Sequence, residues 1–369
     1  MYQEEYSVLN VTEILKNKFK NCVCDNSSIS IKVINNFKEE YNSLRYGVGI
    51  RIFNPVIVQL KGKDTLDFLH RISTNDLKNM EAFEKRNTLF LNEKGRLINR
   101  TTLLNMNDYF LLIVFHDNTK KLLNWINKYI ITEDIETVDV SSSYVLAEII
   151  GPQSESYLTM ILNEPFNSVN ELINSLNGNK IITVSNDNFE YDLFLHKEIN
   201  GLNIYKILLE KKYLENFIDY VLENKSIFDL NFVGEDAYQV FRVEMGIPEE
   251  SEINLNFNPH EINLLNEISF TKGCYIGQEV VARLETYDKV QRKLCGVIFD
   301  DDENILPGEI TDSDGEDAGI ITSVVNSELL NKKIGLAVIR KKLLDKENLE
   351  CVLNQKKINL KIATLPFER

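Results

Sequence analysis

Cysteine is scarce in this chain, with five in 369 residues, and five is an odd number. So few thiols in so long a chain argue against a disulfide framework and point to a reducing, cytoplasmic setting. Histidine is scarcer still, four residues with none closely spaced, which argues against a histidine-rich metal site. Basic charge is in deficit: 41 Lys and Arg face 56 Asp and Glu, for a net charge of -15. That balance argues against a general nucleic-acid binder or a protein held on anionic membranes. No apolar run reaches membrane length, and the longest, Tyr109 to Phe115, reads as a buried strand. The opening Met1-Tyr2-Gln3-Glu4-Glu5 lacks the basic start and apolar stretch of a signal peptide.

What is present is ordinary globular material, 43% hydrophobic and 26% charged, enough for two or three domains. Residues 1–45 read as mostly helical, with Val8, Leu9, Val11, Ile14, Leu15 and Phe19 on one face. A strand at Val56 to Leu60 precedes a helix that Asp64 is placed to cap, bearing Leu66, Phe68, Leu69 and Ile72. A hairpin follows, Thr88 to Asn92 and Leu97 to Leu104, turning at Glu93-Lys94-Gly95. The strand from Tyr109 then leads to a helix from Asn118 to Tyr129. The middle repeats the alternation: strand Tyr144 to Ile150, turn Gly151-Pro152, helix Ser154 to Leu162. Short strands are expected around Lys180 to Ser185 and Tyr191 to His196, and helices over Lys211 to Leu222 and Glu235 to Met245. Gly246 and Pro248 end the last of these. After Gln291 the texture changes to five short strands between polar turns, the pattern of a small closed antiparallel sheet. The expected fold class is therefore α+β, a body over 1–290 followed by a C-terminal β-barrel domain over 291–369.

Several partial motifs fail. Gly47-Val48-Gly49 has Ile52 where a dinucleotide loop needs its third glycine. Asp312-Ser313-Asp314 lacks the turn glycine and bidentate glutamate of a calcium loop, having Asp317 and Ser323 there. Cys22-Val23-Cys24 has no second pair nearby.

One stretch is dense in chemistry. Thr271-Lys272-Gly273-Cys274-Tyr275-Ile276-Gly277-Gln278-Glu279 gathers a thiol, a cation, a phenol, an amide and a carboxylate around two glycines. The spacing of Val280, Val281, Leu284 and Tyr287 predicts a helix from about Gly277, putting Cys274 on a loop before its N-terminus. The helix dipole and the Lys272 ammonium would both favour thiolate there. The residues alone leave the alternative open that Cys274 is a small buried hydrophobe and that Glu279 and Arg283 form only a surface helix pair.

Lys272 to Glu279 resembles the signature K-G-C-(Y/F)-x-G-Q-E of the YgfZ branch of the folate-dependent aminomethyltransferase, or glycine-cleavage T-protein, superfamily. The superfamily's mitochondrial iron–sulfur maturation factors carry a similar signature. Further blocks follow in the family's order. Gly62 to Asp64 with Phe68-Leu69 and Thr74-Asn75-Asp76 resembles an early block, and Asn92 to Arg96 a hairpin. Gly151 to Ser154 is similar to a turn, Arg242 to Pro248 to an "R-x-E-x-G-x-P" block, and Gly319 to Ser323 with Gly335 to Ala337 to barrel strands. The resemblance runs from about residue 40 to the C-terminus, leaving the first ~40 residues as an N-terminal extension.

It implies a three-domain cloverleaf around a central folate channel, with two intertwined subdomains in the body, one of them about 51–140. The implied cofactor is tetrahydrofolate or a one-carbon derivative. Glu244 would bind the pterin, whose amino group and ring N–H present adjacent donors, with Arg242 beside it. Lys272, Cys274, Tyr275, Gln278 and Glu279 would line or support the channel mouth, Cys274 and Lys272 forming the working site. The implied function is assistance to iron–sulfur cluster assembly or repair in client enzymes, tRNA-modifying ones included. Clients or assembly factors would be the partners, with no direct contact to nucleic acid. Cys274 would be at most a transient cluster ligand, since clusters need about four ligands. The alternative is an aminomethyltransferase or demethylase producing methylenetetrahydrofolate. Against it, Asn99 and Arg100 stand where aminomethyltransferases carry aspartates, and neither is a useful base. Ser185 to Glu190 likewise stands where the family has a glycine-rich block.

Overall fold

The computed structural model describes residues 11–25, 30–114, 119–162, 168–186, 188–198, 200–253, 255, 257–287, 289–300, 305–346 and 348–368. Met1 to Glu5, Val8, Leu9, Phe115 and Asn118, named above, and Asp187, within a range given above, lie outside them.

Two sheets pack face to face. One has six strands in the order Ile182–Asn186, Phe189–Lys197, Asn203–Glu210, Tyr144–Ile150, Val48–Phe53 and Leu230–Phe232, antiparallel except for the last pair. The other has five, Glu84–Leu91, Leu97–Asn105, Phe110–Val114, Val56–Lys61 and Glu136–Asp139, all antiparallel. Leu104, Leu111 and Ile113 of the second meet Leu146, Phe194 and Leu208 of the first in a shared apolar layer.

Helices cover the outer faces. Val11–Lys18, Ser154–Leu162, Val169–Asn177 and Leu214–Glu223 bury Ile14, Leu158, Leu172 and Phe217 against the six-stranded sheet. Thr65–Ile72 and Thr119–Tyr129 bury Phe68, Leu69, Leu122 and Ile126 against the five-stranded one. Each such side chain contributes roughly 1.5–3 kcal/mol, enough to fix which helix face turns inward. Asp64 precedes Thr65–Ile72 as expected, but its side chain makes no cap bond and instead accepts from the Asp134 amide at 2.8 Å. It ties the helix start to a distant loop.

The C-terminal part is a closed barrel of six antiparallel strands: Arg292–Phe299, Lys332–Arg340, Asp317–Ser327, Gly308–Asp312, Asn348–Leu353 and Lys356–Ala363. Cys295 and Cys351 are buried among its interior side chains. The strand not expected is Gly308–Asp312, whose alternation is short and ends in an acidic turn held by Asp312. The N-terminal reading also changes: two short strands, Val23–Cys24 and Ile31–Val33, separate Val11–Lys18 from the helix Phe37–Tyr46.

The helix Glu235–Met245 joins barrel to body. Gly246, with φ 71, turns the chain left-handed at its end, and its amide satisfies helix carbonyls. Arg242 is buried and donates to Ser323 of the barrel at 2.9 Å and to Glu252 at 3.3 Å.

Candidate active site

Three apolar strands each carry one inward-facing charge. Lys206, Glu148 and Arg51 are register partners across adjacent strands of the six-stranded sheet. Lys206 lies 2.9 Å and Arg51 3.3 Å from the Glu148 carboxylate. Arg51 also pairs with Glu235 at 3.1 Å, and its guanidinium lies 3.8 Å from the centroid of the Tyr238 ring. Burial works against the Arg51 charge, but Glu235 and Glu249 outweigh it and hold its pKa well above the ordinary value.

The opposite sheet contributes Arg100, which is buried. Its Nε donates to Glu267 Oε1 at 2.8 Å and its Nη2 to Glu198 Oε2 at 3.1 Å. His196 Nε2 lies 2.9 Å from Glu198 Oε1, and its Nδ1 is 3.0 Å from the Asn87 amide nitrogen. Burial pushes His196 down to about 3, so the imidazole is neutral at physiological pH. Burial opposes ionisation of Glu198, yet Arg100 and His196 hold its pKa far below the carboxylate range. Arg51, Arg100, Glu148, His196, Glu198, Lys206, Tyr238 and Glu249 line a small cavity between the sheets. Its walls alternate cation and carboxylate.

The residues singled out from sequence lie elsewhere. Glu244 is fully buried, and its carboxylate accepts from the Tyr41 hydroxyl at 2.7 Å, the Ser327 hydroxyl at 2.7 Å and the Leu329 amide at 3.1 Å. It joins helix Phe37–Tyr46 to the barrel. Arg242 acts in the same seam and also reaches the cavity edge, its Nε lying 3.8 Å from the lining residue Glu249.

Cys274 is exposed on the loop before helix Gln278–Tyr287, as the spacing predicts. Lys272 is buried beneath it and donates to the carbonyls of His70, Ser73 and Asn75. Its ammonium is thus occupied by backbone oxygens. Burial lowers Lys272 to about 8, with Asp76 pulling the other way. Tyr275 is buried in the core between the Glu84–Asn105 hairpin and the barrel, where burial raises it to about 12. Gln278 reaches the Gly273 carbonyl at 3.5 Å, and Glu279 pairs with Arg283 at 3.0 Å on the exposed helix face. Among the described residues, no three His, Cys, Asp or Glu side chains gather in a metal-binding group.

The Lys272–Glu279 loop packs on the tip of the Glu84–Asn105 hairpin, where Gly277 meets Asn92 and Gly95. Two regions that resemble blocks of one family in sequence therefore meet in space. Residues 19–185 match the model of the GCVT N-terminal domain, and residues 292–368 match that of the glycine cleavage T-protein C-terminal barrel domain. The chain belongs to the glycine-cleavage T-protein superfamily. It is 26% identical over 77% of its length to a chloroplastic protein of Arabidopsis thaliana described as a transferase, spanning 63% of that protein. It is 25% identical to an aminomethyltransferase of Staphylococcus carnosus, over 82% of each chain. The aminomethyltransferase T of Bartonella henselae shares the fold, with TM-score 0.77, 16% identity and 95% coverage of both chains. In the T-protein superfamily member described here, no helix among the described residues is long and apolar enough to cross a membrane.

The cavity residues Arg51, Glu148, His196, Glu198, Lys206 and Glu249 escaped the sequence reading. The signal was available: a lone charge at the inward register of an apolar strand, as in Asn203–Glu210 with Lys206 and Tyr144–Ile150 with Glu148. Such a charge is tolerated in a core only when paired.

Proposed function

We propose that this protein binds tetrahydrofolate or a one-carbon derivative in the inter-sheet cavity and serves iron–sulfur cluster assembly or repair, as a YgfZ-type member of its superfamily. The observation that carries the reading is Arg100. With Asn99 it stands where the resemblance puts a transferase's aspartates, and its guanidinium is clamped between Glu198 and Glu267. A permanently protonated group there cannot take a proton.

The donor set fits a pterin. Glu198 is held ionised and presents acceptors to adjacent N–H donors, while Arg51 and Lys206 offer donors to ring nitrogens and a carbonyl. Bound tetrahydrofolate supplies a carrier for one-carbon units. Arg51, stacked on Tyr238, orients the ring plane, and neutral His196 keeps Glu198 aligned without competing as an acid. In this reading the folate carboxylate is Glu198, and Glu244 serves the seam. Cys274, exposed on its loop, is the group offered to client enzymes or assembly factors, with the cluster as cargo.

The test pairs binding with rescue. Equilibrium dialysis with 5-formyltetrahydrofolate is expected to show binding that Glu198→Gln weakens roughly tenfold or more, the loss of a charge-assisted pair. In a bacterium lacking its YgfZ counterpart, wild type and not Cys274→Ala is expected to restore a tRNA methylthiolation that depends on an iron–sulfur enzyme. Failure of both chains to rescue, with turnover of an aminomethyl donor, would favour the transferase reading that the Staphylococcus carnosus relative suggests.

A further inference from the structure

Glu267 is half-bonded. Its Oε1 accepts from Arg100, while its Oε2 is buried with no hydrogen-bond partner. A buried carboxylate oxygen without a donor is costly, so the ligand-free arrangement holds an unmade bond. The cause is visible: the guanidinium that Glu267 bonds is shared with Glu198, and, among the described residues, the nearby Lys85 ammonium makes no hydrogen bond to Glu267.

The backbone of Glu267 begins a run laced to the segment 70–76. Thr74 Oγ1 donates to the Glu267 carbonyl at 2.8 Å and accepts from the Leu89 amide at 3.0 Å. The Ser269 amide donates to the Thr74 carbonyl at 3.1 Å. Lys272 then grips the carbonyls on both sides of Thr74, at Ser73 and Asn75, with lengths of 2.7 and 2.8 Å. Cys274 lies two residues on. A hydrogen-bonded run thus leads from Glu267, whose partner Arg100 lines the cavity, to Lys272, two residues before the exposed thiol.

We infer that a ligand engaging Glu198 frees Arg100 to bond both oxygens of Glu267, and that this tightens the run from Glu267 to Cys274. The inference rests on the folate reading for the identity of the ligand, but the device itself is the sharing of Arg100. It has two states, Arg100 divided between two carboxylates or given wholly to one, and the ligand biases them by competing for Glu198. Loading of the cavity is thereby reported at the surface where Cys274 is offered.

The test uses amide hydrogen exchange at Ser269 and alkylation of Cys274 by iodoacetamide in the full chain. With 5-formyltetrahydrofolate bound, both are expected to slow roughly fivefold or more, the lower range of site-to-site coupling. Glu198→Gln without ligand is expected to slow them too, because it loosens the competing hold on Arg100. Simple destabilisation would instead speed both. Thr74→Val is expected to abolish the response to ligand, and Thr74→Ser to retain it. Bound folate with unchanged Ser269 exchange, or a Glu198→Gln variant that exchanges faster than wild type, would overturn the coupling. Absence of folate binding would remove the folate reading, while the Glu198→Gln result would still decide the coupling.

Discussion

Gly277 and Gly95 press against each other where the Lys272–Glu279 loop crosses the hairpin tip. A Cβ on Gly277 would stand 2.7 Å from the Asn92 carbonyl oxygen and 3.1 Å from the Gly95 Cα, and its φ is +83. Both neighbours are backbone, which cannot swing aside. The two glycines let the loop approach closely enough to bury Tyr275 and present Cys274 outward.

Gly277→Ala is therefore expected to cost about 3 kcal/mol, combining left-handed strain with overpacking. Gly273, two residues from Tyr275 in the same loop, has nothing within 4 Å of its would-be Cβ. Gly273→Ala should change stability by less than about 0.5 kcal/mol. Chemical denaturation of both variants decides the point, and equal effects would contradict it.

Arg100 neutralises two buried carboxylates at once. Arg100→Ala leaves Glu198 and Glu267 without their guanidinium, and a cost of about 3–5 kcal/mol is expected. Adding Glu267→Gln should recover part of that loss by removing one unpaired charge. A double variant less stable than Arg100→Ala would show that the clamp does not act through charge.

Glu244 separates structural from ligand-binding glutamates. Glu244→Gln keeps the shape but turns an amide towards a hydroxyl donor, at an expected cost of about 1–3 kcal/mol. Affinity for 5-formyltetrahydrofolate should be unchanged, whereas Glu198→Gln should lose it with little effect on the barrel seam. A Glu244→Gln protein that folds normally and fails to bind folate would return the pterin to Glu244.

The parts of the fold that follow local rules were legible. The helix Ser154–Leu162, the strand Tyr144–Ile150 and the stop at Gly246 all carry their own signals. The strand Asn203–Glu210 was not, because Lys206 breaks its apolar run and its pairing partner Glu148 lies far away in sequence. The same reason hid the cavity: its charges are compensated across strands, and compensation is a tertiary fact. Motif resemblance located the Cys274 loop but not the use of Lys272, since the carbonyls that hold it belong to residues 70, 73 and 75.

Two lysines make stability rise with pH. Burial lowers Lys85 to about 8, with Glu267 the largest opposing charge, and lowers Lys272 to about 8 as well. In the unfolded chain both titrate near the ordinary value of about 10.4. Below about pH 8 each is protonated in both states, and the native state bears the full cost of burying the charge. Between about 8 and 10 the unfolded state binds more protons, so unfolding free energy increases with pH. Lys85→Met removes one such cost while keeping most of the volume. It is expected to be more stable than wild type by about 2–4 kcal/mol at pH 7. The advantage should shrink steadily towards pH 10, where the wild-type ammonium is already lost in the folded state and only begins to be lost in the unfolded chain. Urea unfolding at pH 7, 8, 9 and 10 measures this, each pH being about one step across the window. A constant difference between the two proteins across that range would mean that Lys85 is not a buried cation.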